Sequence, residues 1–91
     1  MLFRSNVAAA RTWYEKGLEI AKLFAETSPN DFVAQRDLSD FYYDLGDLEI
    51  IANNAAAAKE LSNKALQILE PLVHKNPDDF HSQQLLSKIY R

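Results

Sequence analysis

The stretch Ser28-Pro29-Asn30-Asp31-Phe32-Val33-Ala34-Gln35 returns 48 residues later as Asn76-Pro77-Asp78-Asp79-Phe80-His81-Ser82-Gln83. Proline stops a preceding helix and Asp or Asn can cap a following one, so each copy reads as a helix–turn–helix junction. The match runs outward in both directions without a gap. Residues 5–43 lie on residues 53–91 with 14 identities in 39 pairs, among them Ala8-Ala9-Ala10 on Ala56-Ala57-Ala58, Lys16-x-Leu18-x-Ile20 on Lys64-x-Leu66-x-Ile68, and Leu38-Ser39-x-x-Tyr42 on Leu86-Ser87-x-x-Tyr90. Chance similarity between helices rarely keeps one register through a Pro-containing turn, so the chain is read as an internal repeat.

Each copy contains two amphipathic helices. Ala55, Ala58, Leu61, Ala65, Ile68 and Leu72 recur at spacings of three and four, and so do their counterparts Val7, Ala10, Trp13, Gly17, Ile20 and Phe24. Between the copies, Ala34, Leu38, Phe41, Leu45, Leu48 and Ala52 form a further apolar stripe, ended by Asn53-Asn54. Helices are expected at about 6–28, 31–52, 54–75 and 79–91, after a stub at 1–5 read as the tail of a preceding helix. Short connections make neighbouring helices antiparallel. The aromatics Trp13, Tyr14, Phe24, Phe41, Tyr42 and Tyr90 sit at packing spacings and are expected in the core or between repeats. Pro71 removes a backbone donor and opposes the Gln67 carbonyl, predicting a kink or an early helix end.

Composition supports this reading. The 91 residues are 47% hydrophobic and 25% charged, with two Gly and three Pro. Few helix breakers and one domain's length point to an all-α fold. The net charge of −3 and scattered Lys and Arg argue against nucleic acid as a partner. Without cysteine there are no disulfides or thiolate metal sites. No apolar run approaches a membrane span and the N-terminal stretch lacks a leader's apolar core, so a cytoplasmic protein is expected.

The residues resemble the tetratricopeptide repeat. Leu45-Gly46 matches that family's Leu-Gly pair, Ala58 its small residue early in the second helix, and Ala65-Leu66 the Ala and apolar residue seven positions on. The 48-residue period, longer than the usual 34, together with Gln35-Arg36-Asp37-Leu38-Ser39, Gly46-Asp47 and Pro77, is similar to a long-repeat bacterial variety. Two departures stand out: Ser62 where the first copy has the family's aromatic, Tyr14, and Pro71 where the first copy has Leu23. The resemblance implies antiparallel helical hairpins stacked as a right-handed solenoid segment, with a partial repeat at 1–30, a full hairpin at 31–77 and a partial repeat at 78–91. Such a chain starts and stops within a repeat, so it is expected to be a fragment or to cover its ends by self-association.

No catalytic constellation appears. His74 and His81 are seven apart and read as exposed surface residues, and no phosphate loop or nucleophile elbow is present. The distinctive feature is acidic. Residues 30–53 carry a charge of −5, and Asp37, Asp40, Asp44 and Asp47 recur at three and four along one helix, with Arg36 placed to neutralise Asp40. Helical spacing does not converge such carboxylates on one ion, so no metal or other cofactor is expected. The first helix of each repeat lines the concave groove in the resembled family. By that implication Asp40, Tyr43, Asp47, Ile50 and Ile51 face the groove and select a basic protein or peptide. An acidic groove does not suit the carboxylate clamp by which some tetratricopeptide domains hold chaperone C-termini. The alternative is a self-associating structural segment, a homo-oligomer joined through Met1, Leu2 and Phe3 against Ile89 and Tyr90.

Overall fold

The computed structural model describes residues 2–90, of which residues 2–5 are described by backbone alone. Four helices follow in order: α1 Leu2–Thr27, α2 Phe32–Ile51, α3 Ala55–Lys75 and α4 Phe80–Tyr90. There is no strand among the described residues, so the fold is all-α. Each helix packs on the next in sequence, and α2 also touches α4. The molecule is elongated, 44 × 29 × 20 Å.

The turns follow from their residues. Asp31 caps α2, its carboxylate accepting from the Val33 and Ala34 N–H groups at 2.9 and 3.2 Å. Asp79 does the same for α4 through the Ser82 N–H at 2.9 Å. Such caps satisfy donors that a helix start leaves unpaired. The backbone bond from Asp31 N–H to the Ser28 carbonyl, 3.0 Å, recurs from Asp79 to Asn76 at 3.1 Å. The Gln35 amide donates to the Pro29 carbonyl, and the Gln83 amide to that of Pro77. The 48-residue register therefore governs hydrogen bonding as well as residue type. The α2–α3 turn is different: Asn53 takes a left-handed backbone at φ 64°, which Asn tolerates well, and Asn54 caps α3.

Two expectations about helix ends are corrected. Residues 2–5 continue α1 instead of forming the tail of a separate helix. The counterparts of Asn53 and Asn54 are Ser5 and Asn6, and the chain stays helical through both. The helix does not stop early at Pro71: α3 runs on to Lys75, with Pro71 exposed on its outer side.

The core gathers Ala21 and Ala25 of α1, Leu38 and Tyr42 of α2 and Ala65 of α3, with Leu18, Phe41, Leu61, Ile68 and Ile89 packed around them. Small residues set the helix spacing. At Gly17 a Cβ would lie 2.3 Å from the Phe41 ring, so only glycine admits that ring. At Gly46, half of the expected Leu-Gly pair, a Cβ would meet its nearest neighbours at 3.5 Å, which is ordinary contact. The close approach is thus made at Gly17. A buried polar clamp joins α1, α2 and the next turn: Glu49 accepts from Arg11 at 2.8 and 2.9 Å and from the Asn54 amide at 3.0 Å.

The expectation that all six aromatics pack is corrected for three. Tyr42 is buried and Tyr14 and Phe41 are half-buried, but Trp13, Phe24 and Tyr90 are exposed. Trp13 and Phe24 lie on the face of α1 whose counterpart on α3 is covered by α2.

Candidate partner-binding surface

The five residues singled out from sequence lie on α2, and the packing of α4 divides them. Both helices run the same way along their seam. Arg36 donates to Asp79 at 3.3 Å, and further along His81 Nε2 lies 2.9 Å from Asp40. Asp40, Tyr43 and Asp44 then share a cleft of about 100 Å³ with His81, Gln84 and Lys88. Beyond it, Asp47 is exposed, as are Ile50 at 63% and Ile51 at 52%. The structure thus places Asp40 and Tyr43 inside the seam, with Asp47, Ile50 and Ile51 on the open end of α2.

One expectation about charge changes here. Arg36 does not neutralise Asp40. Its guanidinium lies over the Phe32 ring, 5.6 Å from the centroid, and reaches across to Asp79. Asp40 is instead met by His81, which is exposed as expected and reaches it across the seam. Both follow from α4, whose approach brings its own polar residues against the acidic stripe; nothing local to α2 signals this.

The stripe still concentrates negative charge. Burial pushes the Asp44 carboxyl above its ordinary range, and the flanking Asp40 and Asp47 add to the effect against a smaller opposing pull from Lys88. Asp79 is held below the ordinary range by hydrogen bonding from Ser82, whose backbone N–H reaches it at 2.9 Å, and by Arg36. Asp37 leaves the stripe and faces a different cleft.

That cleft is larger, about 410 Å³, and was not foreseen. It lies between α1 and the start of α2, lined by Ile20, Ala21 and Phe24 on one side and Val33, Asp37 and Phe41 on the other. Its signal in the sequence is indirect: Ile20, Phe24 and Asp37 are exposed, whereas their counterparts 48 residues on, Ile68, Leu72 and Leu85, are partly or fully covered. Among the described residues no group of three or more His, Asp or Glu is placed to hold a metal ion, and no helix is long and apolar enough to cross a membrane. The side chains of Met1, Leu2 and Phe3, expected at a self-association surface, lie outside those described.

The chain matches no family model, no curated protein and no solved structure.

Proposed function

We propose that this chain is a tetratricopeptide-like stack of helical hairpins that serves as a protein-interaction module. Its partner is a basic polypeptide carrying apolar anchors. The observation that carries this is the open end of α2, where Ile50 and Ile51 stand exposed beside Asp47, in line with Asp44 and Asp40 on the same helix. Exposed large apolar side chains rimmed by one sign of charge are a usual mark of a docking surface. The shared hydrogen bonding of the two Pro turns supports the stacked-repeat reading. The His81–Asp40 pair lies on the α2–α4 seam and ties those helices together, so binding is the function that best uses the open end of α2.

The test is a titration of the protein with a synthetic peptide alternating Arg and Leu, with a Glu-for-Arg version as control. Binding of the Arg peptide is expected to weaken with salt. It should drop by about tenfold or more in Asp47→Lys, consistent with loss and reversal of a charge contact. Equal binding of both peptides, or no change in Asp47→Lys, would rule the acidic surface out.

A further inference from the structure

We propose that the α1–α2 cleft receives α4 of a second copy of this chain, head to tail, in the way that α2 is received by α3 and α4. The proposal rests on the 48-residue equivalence and is independent of the acidic surface on α2.

Shifting the cleft by 48 residues shows what it is. Ile20, Ala21, Phe24 and Ala34 become Ile68, Leu69, Leu72 and Ser82. Leu69 and Ser82 are fully buried, and Ile68 is packed against the core. What covers this surface is α2, which packs on both α3 and α4. The α1–α2 cleft is the same groove with no helix of the described residues over it: Ile20 is 58% exposed and Phe24 62%.

The occupant lies at the other end of the chain. Shifted by 48, α2 becomes α4: Leu38, Ser39 and Tyr42, all buried, reappear as Leu86, Ser87 and Tyr90. The surface with which α2 fills its groove is therefore repeated on α4 and left open. Tyr42 is 8% exposed and Tyr90 61%. Within the chain Tyr42 has Lys22 of α1 on one side and Lys64 of α3 on the other, 5.9 and 5.8 Å from its ring centroid. Tyr90 has the counterpart of the first, Glu70, bonded to its hydroxyl. The counterpart of the second is Lys16, an exposed residue on the α1 of a second copy.

Lys88, the counterpart of Asp40, already lies beside Asp44 in the chain's own α2–α4 cleft, so the fit rests on the apolar side chains and Tyr90. Because donor and acceptor surfaces differ, the contact is heterologous and each added copy presents a fresh groove, so association continues past the dimer.

The experiment is sedimentation equilibrium over a dilution series on the wild type and two variants. Ile20→Glu/Phe24→Glu spoils the groove and Tyr90→Lys the occupant. All three positions are exposed, and Lys at 90 keeps an ion-pair partner in Glu70, so helicity by circular dichroism should be unchanged. The mean mass of the wild type is expected to rise steadily with concentration. Each variant alone should stay monomeric, and their equimolar mixture should form a dimer that grows no further, because one intact groove and one intact α4 remain. A wild type that stays monomeric at high concentration overturns the proposal. So does a wild-type mass that levels off at a two-fold dimer, or variants that self-associate like the wild type.

Discussion

The two glycines predict opposite responses to the same substitution. Both lie inside helices, where replacing Gly by Ala removes backbone entropy from the unfolded chain and favours the helix by about 0.8–1.0 kcal/mol. At Gly46 nothing opposes that gain. The new methyl would meet the Ala58 carbonyl, the Leu61 Cβ and the Ser62 hydroxyl, all at 3.5 Å. Gly46→Ala is therefore expected to stabilise the protein by about 1 kcal/mol, raising Tm by roughly 4–8 °C for a domain of this size. At Gly17 the methyl would sit 2.3 and 2.6 Å from two carbons of the Phe41 ring. Ordinary carbon contacts begin near 3.5 Å, so the ring must retreat by roughly 1 Å. Overpacking of this kind costs about 1–3 kcal/mol, which outweighs the helix gain. Gly17→Ala is expected to destabilise by up to about 2 kcal/mol. The assay is urea unfolding followed by circular dichroism at low protein concentration. The double variant Gly17→Ala/Phe41→Leu removes the obstructing ring and should recover most of the helix gain relative to Phe41→Leu alone, a coupling of about 1–3 kcal/mol. If Gly17→Ala stabilises as much as Gly46→Ala, the Phe41 ring does not rest on Gly17 and the α1–α2 spacing is wrong.

The polar groups make two further predictions. Asp44→Asn should stabilise the fold at neutral pH, because a folded-state pKa raised above its unfolded value means that the carboxylate is disfavoured in the folded chain. The advantage over wild type should fade as pH falls through the raised pKa toward about 3.9, the ordinary Asp value, and Tm measured across that range for both proteins checks it. Glu49→Gln should destabilise by about 1–2 kcal/mol, since it weakens the charge-assisted bonds from Arg11 while leaving a buried side chain in place. That loss, read by urea unfolding, should respond little to added salt because Glu49 is only 7% exposed.

The helices and turns were legible because their causes are local. Proline at 29 and 77, the caps Asp31 and Asp79, and the three-four spacing of apolar residues act within a few positions of themselves. The misjudged features depend on distant neighbours. Asp40 has its helix-mate Arg36 four residues before it, yet Arg36 turns to Asp79 because α4 offers a carboxylate across the seam. The partner of His81 lies 41 residues away. The geometry requires glycine at Gly17 and not at Gly46, a difference set by the bulk of Phe41 on another helix. Asp47, Ile50 and Ile51, singled out by the resemblance, are exposed at the open end of α2, whereas the α1–α2 cleft is formed by residues that neither motif nor spacing singles out as a binding surface.

That omission has a single physical origin. Amphipathic spacing identifies the side of a helix that profits from being covered; it carries no information about whether a cover is present. Residues 7–24 of α1 and 55–72 of α3 share one apolar pattern, and from the pattern alone Ile20 and Ile68 are the same residue. In the fold they differ in what lies above them: α2 over Ile68, no helix among the described residues over Ile20. A repeat makes this difference measurable, because each position supplies a covered reference for its own uncovered counterpart. Burying one such side chain fully is worth about 1.5–3 kcal/mol. Ile20 and Phe24 together with Tyr90 thus hold a driving force for association that their counterparts Ile68, Leu72 and Tyr42 have already spent on folding. Besides the open end of α2, positions where sequence equivalence and exposure disagree mark surfaces able to bind a further copy, and Ile20 and Phe24 of α1 and Tyr90 of α4 are such positions.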